Sequence, residues 1–408
     1  MSFDPGRDYS RELEEGAMEK SALVYIGLIV ITTGLALLVQ NEEYSSFQRF
    51  GSIGTGYRPM DRRQARNIVV MWGIYLLLAG VSACRIAVGN DYWVYRENFK
   101  LIAQERHVSS EIGFNLVVKG LVRIFGYDNY LPVFGFFSLV TVLFFVLALR
   151  DQGSHFAFSL FLLLTEGFYF NSLNTVRYYL ALSMALFSMI YVLRREYGKF
   201  LLVILAGALF HKSILLVIPV YLAADFLARL KWKRAYGIAA AVLGGVFVSS
   251  LFWGKGLYRW IIFRIYPFYE NSHFDQSRIS YKNLAIVLGT LALCFVTWLV
   301  RRRSGAPGQE ISKDRVCALK FYGILNVFGL IAFCCGGFVP EVTRIGYYMT
   351  VSQVFLIPGL LSVIDQKQLK KVCYVGCLTV FALHFVLLLK QMYQVDVRLL
   401  PYRNWIFQ

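Results

Sequence analysis

The sequence predicts an all-α polytopic membrane protein of about twelve transmembrane or re-entrant helices. Three observations carry that expectation. Hydrophobic residues make up 57% of the 408 and charged residues 16%, with a mean hydropathy of +0.53. That leaves too little polar surface to keep a chain of this length dispersed in water. The apolar residues fall in blocks, several of them reaching the roughly 20 residues that cross a bilayer. No block alternates as a ~10-residue barrel strand does, and backbone in lipid must satisfy its own hydrogen bonds, so helices remain.

The spans predicted in order are 22–40, 67–88, 131–149, 156–170, 173–193, 236–253, 283–300, 316–335, 345–364 and 372–392. The stretch 200–224 is apolar but broken at His211-Lys212-Ser213, and reads as two short helices, 200–210 and 213–224. The first 20 residues carry six acids against Arg7, Arg11 and Lys20, the wrong start for a secretory signal. The first span is therefore expected to stay as an uncleaved helix. Cys84, Cys294, Cys317, Cys334, Cys335, Cys373 and Cys377 mostly fall inside spans as small apolar fillers. The five histidines are scattered, so no metal site is expected.

Net charge is +17. In a membrane chain, Lys and Arg collect in cytoplasmic loops, so this charge does not call for nucleic acid. Sorting loops by side puts Arg301-Arg302-Arg303, Lys367, Lys370, Lys371 and the 41–66, 194–199 and 225–235 loops together, at roughly twice the basic density of the other set. That dense set is placed in the cytoplasm. Residues 1–21 then form an acidic extracytoplasmic tail, 22–392 a single helical domain with extracytoplasmic loops 89–130 and 254–282, and 393–408 an extracytoplasmic tail. Within 89–130, Glu111–Phe125 is amphipathic, with Ile112, Leu116, Val117, Leu121 and Ile124 on one side, fit to lie in the interface. The 254–282 loop is rich in aromatics and Arg (Tyr258, Arg259, Trp260, Arg264, Tyr266, Tyr269), as an interfacial belt is.

Three cations share one placement: Arg177, Lys212 and Arg344 each stand near the start of a helix running inward from the outer face. A helix N-terminus carries partial positive charge, so a cation there loses a few tenths to ~1 kcal/mol. A bound anion, phosphate above all, would explain three such residues on one face. The bland alternative pairs each locally: Arg177 with Glu166, Arg344 with Glu341, Lys212 with lipid headgroups. Asp91 and Glu111, in the same outer loop, are the acids that could bind hydroxyls or act as a general base. His211 is a second candidate base, which adjacent Lys212 would keep neutral. Ser213 reads as the N-cap of the helix that follows. Tyr92, Trp93, Tyr95, Tyr178 and Tyr179 suit stacking on sugar rings, and a membrane interface equally.

Ordered together, these residues resemble a known family. Gly89-x-Asp91-Tyr92-x-x-Tyr95, Glu111-x-Gly113-Phe114, Arg177-Tyr178-x-Leu180-Ala181, Phe210-His211-Lys212-Ser213 with Pro219, Arg344-x-x-Tyr347-Tyr348 and Pro401-Tyr402 look like the EpsG family of bacterial exopolysaccharide proteins, which is similar to Wzy-type polymerases. The resemblance runs from about residue 67 to the end, and Asn90 stands where members commonly have Thr or Ser. It implies a Wzy/GT-C-like glycosyltransferase architecture in the bacterial cytoplasmic membrane. It also implies polymerisation of oligosaccharide repeats carried on undecaprenyl diphosphate, at the outer face.

On that reading Arg177, Lys212 and Arg344 hold the donor's diphosphate, and His211, Asp91 or Glu111 takes the acceptor's proton. Tyr92, Tyr95, Tyr178, Ser213, Glu341, Tyr347 and Tyr402 contact substrate. Transfer is expected to invert, with no cofactor and no metal. Lipid-linked donor and acceptor and membrane lipid are the expected partners, with a chain-length regulator and a flippase as neighbours on family grounds. The alternatives are an O-antigen ligase-like transferase, a flippase or transporter of lipid-linked sugar, and an acyltransferase using His211 as base. The transporter would need charges reaching both faces and internal repeats, neither of which is present. The acyltransferase would need a thioester donor from the other side.

Overall fold

The computed structural model describes residues 5–39, 62–126, 129–230, 279–304, 312–335, 341–394 and 397–406, with isolated helical positions between 237 and 264. The predicted span 236–253 and most of the predicted loop 254–282 lie outside the described residues.

The chain is nearly all helical. The helices are α1 (Pro5–Ala36), α2 (Arg62–Ala83), α3 (Tyr92–Ala103), α4 (Ile112–Phe125), α5 (Leu131–Gln152), α6 (Phe156–Thr165), α7 (Phe168–Asn171), α8 (Val176–Leu193), α9 (Tyr197–Ala208) and α10 (Val217–Arg229). Further along the chain come α11 (Tyr281–Ser304), α12 (Lys313–Cys334), α13 (Val342–Thr350), α14 (Gln353–Ser362) and α15 (Lys367–Met392). A 3-10 turn, Lys212–Leu216, precedes α10. Among the described residues there is no strand, only an isolated antiparallel bridge between Arg85 and Asn404.

Among the described residues, seven helical stretches are long and apolar enough to cross a membrane: Arg62–Ala83, Leu131–Gln152, Val176–Leu193, Tyr281–Arg302, Lys313–Cys334, Val342–Ser362 and Lys367–Met392. Three shorter apolar helices join them, Ser21–Ala36, Phe156–Thr165 and Tyr197–Ala208. The protein is thus a multi-pass membrane protein. Large exposed apolar side chains such as Val69, Leu76, Val372 and Leu383 are what lipid-facing positions carry.

The chain divides into two compact units. Unit 1 takes Met1–Phe187, Leu205–Lys212 and Tyr374–Gln408. Within it α2 packs on α5, α1 on α2 and α6, α3 on α4, and α4 on α5. Its centre is an aromatic cluster in which Tyr92, Tyr95, Phe99, Phe114, Phe134 and Phe137 touch in tilted, stacked and edge-on pairs. The loop expected over 89–130 therefore contains two helices. In α4 the side facing inward is Gly113, Phe114, Val118 and Val122. Ile112, Leu116 and Ile124 of the predicted apolar stripe point outward. Both sides of α4 are apolar, so the protein takes one and the stripe is left for lipid.

Unit 2 takes Ser188–Ile204 and Ser213–Cys373. Here α12 packs against α10, α11, α13 and α14. The span predicted as one helix over 345–364 is broken at Val351-Ser352. The break is lined by polar side chains that satisfy each other: Asn326 Nδ2 donates to Ser352 Oγ at 3.0 Å, and Gln353 Nε2 to Asn326 Oδ1 at 2.7 Å. Asp225, 3% exposed, accepts from Arg229 and from the Tyr197 hydroxyl, each at 2.9 Å, which accounts for its charge in an apolar helix.

Candidate functional site

The structure gathers five of the sequence-predicted residues in unit 1: Asp91, Glu111, Arg177, His211 and Lys212. Asp91 opens α3. Its amide donates to Asn174 Oδ1 at 2.9 Å, and its carboxylate accepts from the Thr175 hydroxyl at 3.1 Å. The turn before α8 is thereby tied to the acid. Gly89 makes the approach possible. It has φ +93°, and a Cβ there would lie 3.0 Å from Asn174 Cα and from Leu173 O.

Arg177 is the second residue of α8. Its Nη1 donates to Glu111 Oε2 at 2.6 Å, with the two side chains 25% and 9% exposed. Its guanidinium carbon sits 6.0 Å from the Tyr95 ring centroid and 5.2 Å from that of Phe114, positions of cation–π contact. Burial holds the Tyr95 phenol well protonated, against the pull of Arg177. The local partner expected for Arg177, Glu166, is not the one found; Glu111, the residue just before α4, takes that place.

Glu111 has a second donor. Its Oε1 accepts from the Lys212 amide at 3.3 Å. The N-terminus of α4 is pressed against the end of α9, where the Gly113 amide donates to Leu209 O at 2.9 Å. A Cβ on Gly113 would lie 2.7 Å from Leu209 Cβ and 2.8 Å from Leu209 O. Glycine at this position is therefore what lets Glu111 reach the backbone of Lys212. His211 lies between, half-buried, its ring 5.6 Å from that of Tyr178 and edge-on to it at 74°.

The remaining predicted residues fall in different surroundings. Tyr92, Tyr95 and Tyr178 are buried, at 8%, 5% and 1% exposure; the Tyr95 ring lies against Arg177, that of Tyr178 against His211, and that of Tyr92 stacks on Phe134. In unit 2, Arg344 pairs with Glu341 at 3.0 Å, the local partner expected for it. Glu341 holds φ +52°, a left-handed conformation that an ordinary residue adopts at a cost of about 1–2 kcal/mol. Tyr347 Oη accepts from Asn283 at 3.2 Å. Ser213 does not cap a helix. It lies inside the 3-10 turn, because α10 begins only at Val217, and its hydroxyl meets that of Tyr348 at 2.9 Å.

Tyr402 belongs to a feature that sequence reasoning missed. Residues 397–405 run beside 84–90. The Ile86 amide donates to Arg403 O (2.9 Å), Gly89 to Arg398 O (2.7 Å), Asn90 to Val397 O (3.1 Å) and Trp405 to Cys84 O (3.1 Å). The Tyr402 hydroxyl, its pKa pushed up to about 12 by burial, donates to Val81 O at 2.8 Å. Leu399 and Leu400 are buried beneath. Arg85, 1% exposed, completes the clamp. It bonds to neutral oxygens, Ser82 O and Ser138 Oγ, and lies 4.9 Å over the Phe134 ring, which stacks on Tyr92 at 4.7 Å. A charge at the end of an apolar span was the available signal.

Among the described residues no three His, Cys, Asp or Glu come together as metal ligands. The arrangement is a cation and an amide converging on one carboxylate, with a second acid and an imidazole on the same unit. Anion binding and proton transfer are the chemistry it offers.

The sequence model of the EpsG family matches residues 68–404. The chain belongs to the EpsG family. The match takes in Asp91, Glu111, Arg177, His211, Lys212 and the clamp, and it leaves out the acidic N-terminal stretch. Membership in the EpsG family, with the apolar helices, points to a polysaccharide-polymerase-type membrane protein acting on lipid-linked oligosaccharide. No curated protein and no solved structure matches the chain.

Proposed function

We propose that this EpsG-family protein joins undecaprenyl-diphosphate-linked oligosaccharide repeats at the outer face of the bacterial cytoplasmic membrane, by inverting glycosyl transfer. The observation that carries the reading is the convergence of Arg177 and the Lys212 amide on a single anionic group. In the reaction that group is the donor's diphosphate. Its negative charge grows as the glycosidic bond breaks, and a guanidinium held in place by Tyr95 and Phe114 stabilises it without reorganising. The acceptor hydroxyl attacks the anomeric carbon from the opposite side and loses its proton to His211, Asp91 or Glu111. Unit 1 supplies all of these groups.

The test is a change of phenotype without loss of protein. His211→Ala should insert at wild-type level, while polymer disappears and single lipid-linked repeats accumulate. Normal polymer length would overturn the role of His211. Polymer of normal length that fails to reach a terminal acceptor would instead indicate the ligase.

A further inference from the structure

We propose that the Glu111 carboxylate is a built-in occupant of the diphosphate position, displaced when substrate binds and then free to take the acceptor's proton. The proposal rests on the reading of Arg177 as the diphosphate-binding cation.

Glu111 stands where an N-cap residue stands, before α4, yet its side chain makes no bond to that helix. A residue there ordinarily caps its own helix's amides. Both Glu111 oxygens are turned elsewhere, one to Arg177 Nη1 and one to the Lys212 amide. The guanidinium is not filled by this. Arg offers five N–H donors, and Arg177 Nε is buried with no hydrogen-bond partner. A diphosphate brings more oxygens and more charge than a carboxylate to the same donors.

What moves on substrate entry follows from what is fixed. The guanidinium lies against the rings of both Tyr95 and Phe114. The backbone beside Glu111 is fixed by the contact of Gly113 on Leu209. The Glu111 side chain is the remaining freedom, so the entering diphosphate takes its donors and the carboxylate swings off. Its lone pairs are then unoccupied, within a side chain's length of the reacting centre. The acceptor O–H breaks and its proton goes to Glu111. The acceptor oxygen bonds to the anomeric carbon. The bond from that carbon to the phosphate oxygen breaks, and its electron pair leaves with the diphosphate on Arg177. Resting-state pairing with Glu111 keeps the charge of the guanidinium balanced while the site is empty.

The experiment measures binding and turnover separately, on full-length protein in nanodiscs. Farnesyl diphosphate serves as a short lipid diphosphate, and inorganic pyrophosphate as its lipid-free counterpart. Glu111→Gln should bind both about tenfold more tightly than wild type, because a charged competitor for Arg177 is gone. The same variant should polymerise at least about 100-fold more slowly, because the base is gone. A purely structural ion pair predicts weaker binding instead. Glu111→Asp, which keeps the charge on a shorter arm, should fall between the two in affinity and serves if the Gln variant does not fold. Binding in Glu111→Gln no tighter than wild type, with wild-type binding dependent on Arg177, overturns the inference and leaves the function standing. Tighter binding with full turnover overturns the base. Wild-type binding that ignores Arg177 overturns the functional reading itself. A gain for farnesyl diphosphate without one for pyrophosphate assigns the position to the lipid-linked form.

Discussion

Arg177→Ala should abolish polymer formation, with turnover falling about 10²–10³-fold for the lost stabilisation of the leaving diphosphate. The same change strips a partner from Glu111, whose side chain is 9% exposed. Breaking a fully buried pair typically costs 3–5 kcal/mol. Arg177 is 25% exposed, so water can partly replace it and the loss should be nearer the low end. Activity loss and instability would then be confounded in the single variant. The double variant Arg177→Gln with Glu111→Gln separates them. Removing both charges leaves two neutral amides able to bond each other, so thermal stability in detergent should return close to wild type. Polymerisation should not return at all. Non-additivity in stability with none in activity is the signature of a pair that is structural in the empty protein and catalytic with substrate. Recovery of activity in the double variant would mean the charges serve only one another.

Ending the chain at Gln394 should be the most disruptive change outside the site. It removes four backbone hydrogen bonds to 84–90, the Tyr402 hydroxyl bond and the buried Leu399 and Leu400. The two leucines alone represent about 1.5–3 kcal/mol each. The segment they hold is strained. Ala87 has φ +54°, a conformation that persists only when its surroundings impose it. Freed of the clamp, Ala87 should relax, and with it the turn presenting Asp91. The truncated protein should show new protease sensitivity between α2 and α3 and should lose polymerisation at least about 100-fold by the logic of misplaced catalytic groups. Arg85→Met is the milder companion. A buried guanidinium bonded only to neutral oxygens is not expected to be a net stabiliser, so melting should shift little while activity falls. Full activity in the truncated chain would show that Asp91 holds its place without the clamp.

The spans were legible because lipid imposes a length and an apolar composition on each, and the break at His211-Lys212-Ser213 shows as α9 ending at Ala208 and a 3-10 turn from Lys212. Helix α3 was readable too: Tyr92, Tyr95, Phe99 and Ile102 recur on one side of a helix and are its buried residues. It falls within the segment 89–130 expected as an outer loop, in which only Glu111–Phe125 is read as amphipathic. The pairing of Arg177 with Glu111 could not be read locally, since 66 positions separate them and their meeting depends on tertiary packing. Arg344 with Glu341, three positions apart on one helix turn, could be. The C-terminal clamp was hidden for a related reason. Residues 393–408 carry no periodicity, and backbone pairing with 84–90 leaves no side-chain pattern to read.

The most direct measurement is reconstitution of purified protein in liposomes with a single synthetic undecaprenyl-diphosphate-linked repeat, without nucleotide or ion gradient. The account predicts a ladder of lipid-linked polymer, one undecaprenyl diphosphate released for each linkage formed, and no ladder from the Arg177→Ala protein. Movement of the intact repeat across the bilayer with no new glycosidic bond would contradict it.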